Sequence, residues 1–279
     1  MGTFIEILKS IFMGIVQGIT EWLPISSTGH LILFENIIKM DVSPDFFDMF
    51  KVVIQLGSIL AVLMLFFKKL NPVHPGKTVK QRRETWSLWG KVLVASLPAA
   101  VVGLLIDDII DSKLGKWYVI ATTLIVYGVF FIIMESRSRK ATIKRFEDMN
   151  YKTALLIGVF QVLALIPGTS RSGATILGAA LLGCSRYIAA EFSFFMSIPV
   201  MFGASGLKLV KYFLGGNSMT GSEIAILAFG FVTAFVVSVA VVKFFMNFIK
   251  KHTFKGFGYY RIALGAILII AGICGFFSR

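Results

Sequence analysis

Five polar side chains crowd into ten residues of an otherwise apolar segment: Glu21, Ser26, Ser27, Thr28 and His30. Thr169, Ser170, Arg171 and Ser172 stand together in a second such segment. Each type carries its own chemistry. The planar fork of Arg171 suits a phosphate or a carboxylate, and an arginine in hydrocarbon costs several kcal/mol unless it is partnered. Glu21 can be that partner in a buried ion pair. It can equally be a general base, or an oxygen ligand for Mg²⁺ or Ca²⁺, ions that phosphate oxygens also bind. Gln17 lies one helical turn before it on the same face. The hydroxyls of Ser26, Ser27 and Thr28 beside His30 suit acid–base work or activation of a hydroxyl. Thr169, Ser170, Ser172 and Gly173 around Arg171 precede a helix expected over 174–183. Exposed amides and the dipole at such a helix start bind phosphate, and the same hydroxyls also serve as ordinary N-caps.

These residues belong to two stretches that look like one motif written twice. Gly14–His30 reads GIVQGITEWLPISSTGH and Gly158–Gly173 reads GVFQVLALIPGTSRSG. At an offset of 144 residues, Gly14, Gln17, Gly29, Phe50 and Ile54 fall on Gly158, Gln161, Gly173, Phe194 and Ile198. Polar clusters of this kind occur at membrane depth only where they are buried in protein or line a cavity. The two stretches are therefore expected to meet and form one site.

The elements that must position them are membrane helices. Of 279 residues, 56% are hydrophobic and only 15% charged, against about 25% charged in soluble domains. Apolar runs long enough to span a bilayer are expected over 50–67, 86–106, 117–134, 192–213, 223–242 and 259–277. Residues 4–19 and 151–166 are shorter and run into Pro24 and Pro167, so each reads as the first arm of a re-entrant hairpin, with 31–38 and 174–183 as the returning arms. The basic loops 68–83, 137–145 and 243–255 belong on the cytoplasmic side. The acidic turns at Asp41, Asp45 and Asp48 and at Asp107, Asp108 and Asp111, with the uncharged turn 215–221, then fall outside. The fold class that follows is an all-α polytopic membrane protein, a single integral membrane domain of two inverted-topology repeats, about 1–140 and 141–279. Six transmembrane helices and two re-entrant helical hairpins are expected, the hairpin tips meeting near the bilayer midplane. The net charge of +13 follows from the basic loops and suits anionic lipid; nucleic acid is not an expected partner. His74 and His252 lie in basic loops and read as solvated. Cys184 and Cys274 lack metal or redox spacing, and no cleavable leader is evident near the N-terminus.

Three motifs carry a resemblance to a known family. Gln17–Glu21 is a Glu/Gln-x-x-x-Glu box, Pro24–His30 reads PISSTGH, and Pro167–Gly173 reads PGTSRSG. In this order they closely resemble the bacterial undecaprenyl-diphosphate phosphatase family, also known as the bacitracin-resistance protein family, over essentially the whole chain. The resemblance implies a multi-pass enzyme of the bacterial plasma membrane. Such an enzyme hydrolyses undecaprenyl diphosphate to the monophosphate and inorganic phosphate, recycling the lipid carrier for cell-wall synthesis. It confers resistance because bacitracin sequesters the diphosphate. A divalent cation, Mg²⁺ or Ca²⁺, is implied as cofactor. Gln17 occupies a position where some members carry Glu, so Glu21 is the expected metal ligand and Gln17 a secondary one.

On this basis Glu21, Ser27, His30 and Arg171 are the expected catalytic residues. Ser26, Thr28, Thr169, Ser170, Arg171, Ser172 and Gly173 are expected to hold the phosphates, through side chains and through the amides of 169–173. Ser27 is the first choice of nucleophile, with Glu21 or His30 as base; water activated by either is the alternative. The site is expected to open to the extracytoplasmic side. The partners are the polyprenyl diphosphate and membrane lipid, and a homodimer is compatible with them. A flippase or transporter of the polyprenyl phosphate carrier is the rival function, because inverted repeats are common among carriers.

Overall fold

The computed structural model describes residues 2–109, 114–137 and 140–277, with the side chains of 106–109 left out. In chain order the helices are α1 (Gly2–Thr20), α2 (Ser27–Ile37), α3 (Pro44–Leu65), α4 (Phe67–Leu70), α5 (Val79–Ile109), α6 (Trp117–Ser136), α7 (Tyr151–Val162), α8 (Arg171–Leu181), α9 (Arg186–Leu214), α10 (Gly221–Phe248) and α11 (Lys255–Ile273). Among the described residues there is no β-strand, and seven helices are long and apolar enough to cross a membrane. The chain is an all-α, multi-pass membrane protein. The acidic turn at Asp107, Asp108 and Asp111 and the basic Arg139 lie outside the described residues or side chains.

The seventh of these helices is α1. Residues 4–19 read as a short arm that runs into Pro24; α1 is 19 residues long, about 28 Å at 1.5 Å per residue. Its polar residues do not break it because they satisfy each other. Lys9 Nζ lies 2.6 Å from Glu6 Oε1, and Glu6 Oε2 accepts from the Asp41 amide at 2.9 Å. The corresponding arm of the second stretch is shorter: α7 has 12 residues and ends in a 3₁₀ turn, Leu163–Leu165.

Close packing brings these arms against the spans. α1 lies on α10, and α7 on α5. α6 and α11 approach through a reciprocal pair of glycines: a Cβ on Gly128 would sit 2.7 Å from the Gly258 carbonyl oxygen, and one on Gly258 would sit 2.7 Å from that of Gly128. Only small residues allow backbones this near in a bilayer, where packing rather than a hydrophobic force drives helix association. The largest apolar core gathers Phe192, Phe194, Phe195, Phe245, Phe254 and Trp22. A second core around Met13, Phe46 and Phe50 joins α1 to α3 and α10.

Both returning arms begin in the same unusual way. Ser26 caps α2 and Ser170 caps α8, each accepting from the amide three residues on, Gly29 N at 3.3 Å and Gly173 N at 3.2 Å. Their φ angles are 74° and 70°, and among the described residues they are the two non-glycine positions with positive φ. Such a backbone costs roughly 1–3 kcal/mol and persists where surrounding structure imposes it, characteristically at functional sites. The two serines are separated by the same 144 residues as Gln17 and Gln161.

Candidate active site

The two polar stretches meet at one carboxylate. Glu21 follows the last turn of α1, its amide donating to the Gln17 carbonyl at 3.1 Å. Glu21 Oε1 accepts from Arg171 Nη2 at 2.8 Å, while Oε2 accepts from Gln17 Nε2 and from Ser27 Oγ, both at 2.9 Å. Two stretches 150 residues apart thus converge on one carboxylate. The ion pair is largely buried, with 8% of the Glu21 side chain and 13% of the Arg171 side chain exposed. Arg171 Nη1 also donates to the Ser193 carbonyl at 3.1 Å, and the guanidinium carbon stands 5.7 Å from the Trp22 ring. Ser172 ties the backbones together, its Oγ lying 3.3 Å from the carbonyl oxygens of both Glu21 and Leu23.

A second arginine clasps the same junction from behind. Arg261, in α11, is fully buried. Its Nη1 donates to the Pro24 carbonyl at 3.2 Å, and its Nη2 donates to those of Gly168 and Thr169, both at 2.9 Å. One guanidinium therefore holds the turn of the first stretch and the turn of the second. Tyr127 stands over it, 5.6 Å from the ring centre. Gly168 completes the turn at φ 88°, where a Cβ would collide with Ile120 and Thr123. Thr123 Oγ1 donates to the Pro167 carbonyl at 2.8 Å. Two guanidinium groups against one carboxylate leave the junction with a net positive charge, suited to an anion in a low-dielectric setting.

His30 serves a different neighbour than its sequence position suggests. Its Nδ1 donates to the Ser26 carbonyl at 2.7 Å, which in the neutral ring leaves Nε2 to accept from the Tyr260 hydroxyl, also 2.7 Å away. The rings stack at 5.6 Å. In this arrangement it is Glu21 that contacts the Ser27 hydroxyl.

The model of the family described as "Bacitracin resistance protein BacA" matches residues 10–267. The chain belongs to this family. Relatives named undecaprenyl-diphosphatase include one from Streptococcus thermophilus, 56% identical over 270 residues (96% of this chain and 94% of the relative). One from Enterococcus faecalis is 56% identical over 268 residues (95% and 97%), and one from Lactiplantibacillus plantarum is 55% identical over 268 residues (95% and 97%). The family match takes in Gln17, Glu21, both tips and Arg261.

The structure brings together Gln17, Glu21, Ser27, Arg171 and Ser172, and sets others apart. Ser26 is fully buried as a cap, and Thr28 points outward and is exposed. Ser170 Oγ lies 3.1 Å from Ser172 Oγ while capping α8. The expected run of phosphate-binding amides narrows, because the Thr169 amide is engaged by the Ile166 carbonyl at 3.2 Å and the Gly173 amide by Ser170 Oγ. The amides of Ser170, Arg171 and Ser172 are left at the helix start. Thr169 contributes its carbonyl to Arg261, and its hydroxyl is buried without a partner.

Arg261 and Tyr260 were absent from the expected set, although an arginine inside an apolar span is a functional signal in itself. Lys69 and Glu191 were missed as a pair, with Nζ and Oε2 2.7 Å apart and Glu191 buried.

As for a divalent cation, no cluster of three His, Cys, Asp or Glu side chains occurs among the described residues. The junction does offer hard oxygen: the Glu21 carboxylate and the buried Gln17 Oε1, which has no partner. That set fits a cation shared with substrate phosphates rather than an all-protein cage.

Proposed function

We propose that the protein hydrolyses undecaprenyl diphosphate to undecaprenyl phosphate and inorganic phosphate at the junction of the two stretches, with Ser27 as nucleophile. Family membership supports the activity, and the observation that carries the mechanism is the 2.9 Å hydrogen bond from Ser27 Oγ to Glu21 Oε2. Ser27 Oγ attacks the terminal phosphorus and its proton passes to Glu21. The bond from that phosphorus to the bridging oxygen breaks, and undecaprenyl phosphate leaves. Water then attacks the phosphoserine, Glu21 returns the proton to Ser27 Oγ, and inorganic phosphate departs. Arg171 turns its fork to the diphosphate and offsets the charge developing on the bridging oxygen, aided by the amides of Ser170, Arg171 and Ser172. Arg261 and Ser172 keep the two turns in register.

Mg²⁺ or Ca²⁺ would be held by Glu21, the Gln17 amide oxygen and substrate oxygens, supplying further stabilisation of phosphoryl charge. The basic loops on one side support an active site opening to the other, extracytoplasmic, side. The matched caps at Ser26 and Ser170 support an internal repeat, and the placement of the basic loops supports its inversion in the membrane.

The test is phosphate release by purified protein in detergent from undecaprenyl diphosphate, with and without EDTA. Release that EDTA abolishes is expected. A protein that binds the lipid yet releases no phosphate would make it a carrier instead. EDTA-insensitive release would remove the cation from the scheme.

A further inference from the structure

We propose that a cleft on the basic side of the molecule, separate from the Glu21 junction, binds an anionic glycerophospholipid. The cleft measures about 1510 Å³ and lies between α6, the second hairpin and the ends of α9 and α10. Its walls are apolar, formed by Tyr127, Phe130, Ile133, Phe160, Leu163 and Leu181. Phe130, Ile133, Leu163 and Leu181 are each more than 40% exposed, so no protein surface covers them. Its mouth carries cations: Arg137, Lys140, Lys144, Arg186 and Lys250. Arg186 is committed to Glu135. Arg137, Lys140, Lys144 and Lys250 have no acidic partner among the described residues.

An apolar cleft with a cationic mouth matches a lipid chain ending in a phosphate headgroup. Basic pockets between transmembrane helices on the cytoplasmic side take such headgroups, because that leaflet carries anionic lipid. None of Glu21, Ser27 and Arg171 lines this cleft, so a headgroup at its mouth is not a substrate in reacting position. The cleft is nonetheless tied to the junction. Tyr127 forms part of its wall and stands over Arg261, which holds both turns. Lipid in the cleft therefore packs against the residue that backs the clasp.

The experiment is a titration of the purified full chain in detergent with phosphatidylglycerol or with phosphatidylcholine of the same chains, read by native mass spectrometry. Phosphatidylglycerol is expected to bind, and phosphatidylcholine is not expected to displace it. Arg137→Gln, Lys140→Gln and Lys144→Gln together should weaken binding roughly a hundredfold, at about fivefold for each cation removed near a lipid surface. Ala180→Trp narrows the apolar part of the cleft while leaving its mouth intact, and should weaken binding too. Millimolar inorganic phosphate should not compete. Equal binding of the two lipids, an unaffected triple variant, or displacement by inorganic phosphate would each overturn the proposal. So would full binding by Ala180→Trp, which would mean surface attraction alone. Displacement by stoichiometric polyprenyl monophosphate would assign the cleft to the reaction's own lipid and likewise overturn it. Phosphate release at the parental rate by the triple variant would show that it is folded, so a loss of lipid binding is read directly.

Discussion

Replacing Arg261 by methionine should uncouple the two turns without touching any group that meets the substrate. The side chain makes three charge-assisted hydrogen bonds, to Pro24, Gly168 and Thr169. Interhelical hydrogen bonds in membranes measure about 0.6 kcal/mol on average, and bonds involving charged groups about 1.5–3 kcal/mol. Three of them, with the carbonyls then left buried and unpaired, put the loss at about 2–9 kcal/mol. Part of this appears as lower thermal stability. The rest appears as freedom of one turn relative to the other, and a displacement of about 1 Å at a reacting centre costs about 100-fold in rate. Arg261→Met is therefore expected to release phosphate at least about 100-fold more slowly per folded molecule. Arg261→Lys keeps the charge but cannot fork to three carbonyls, and should fall between Met and the parent. The assay is phosphate release from undecaprenyl diphosphate, normalised to the monodisperse fraction by size-exclusion chromatography. An Arg261→Met protein with parental turnover would show that the clasp has no bearing on catalysis.

Arg171→Ala should insert into the membrane and lose most activity, as phosphate release on the purified variant will register; near-normal turnover would remove Arg171 from the phosphate clamp. Glu21→Gln strands Arg171 as a buried unpaired charge, so both a lower unfolding temperature, by about 3–5 kcal/mol in stability, and a rate loss of about 10²–10⁴ are expected. Gly168→Ala forces a Cβ into Ile120 and Thr123 at φ 88°, and thermal unfolding should fall by about 1–3 kcal/mol in stability. Burial pushes the Cys184 thiol up to about 12, so at neutral pH it stays protonated and an impermeant maleimide should spare it; rapid labelling would contradict its burial. Thr28 is exposed on the first turn, so Thr28→Cys should label from the extracytoplasmic side of intact cells, and labelling only after permeabilisation would reverse the proposed orientation.

Much of the architecture was legible because bilayer chemistry is strict. Apolar length gave the spans, and Pro24 and Pro167 marked where the first arms stop. α1 extends only slightly beyond the apolar run 4–19, and its Glu6 and Lys9 are accommodated by their mutual pairing and by the Asp41 amide. Within the site, Glu21 and Arg171 declared themselves as intramembrane charges, and the expected alternative of an ion pair between them is present. What sequence could not supply was side-chain direction at the turns. The positive φ of Ser26 turns its side chain into a cap, and His30 meets a tyrosine 230 residues away. Arg261 passed unnoticed because it follows Tyr259 and Tyr260 and reads as part of an interfacial belt. Its role depends on three carbonyls brought together only by the fold.

If the Ser27 hydroxyl, held by Glu21, opens the phosphoanhydride as proposed, a phosphoserine forms in each turnover. Incubating the purified protein with undecaprenyl diphosphate labelled in its terminal phosphate, then quenching in acid, tests it most directly. Label is expected on a peptide containing Ser27, with neither label nor turnover in Ser27→Ala. Continued phosphate release by Ser27→Ala would contradict it and leave the attack to water.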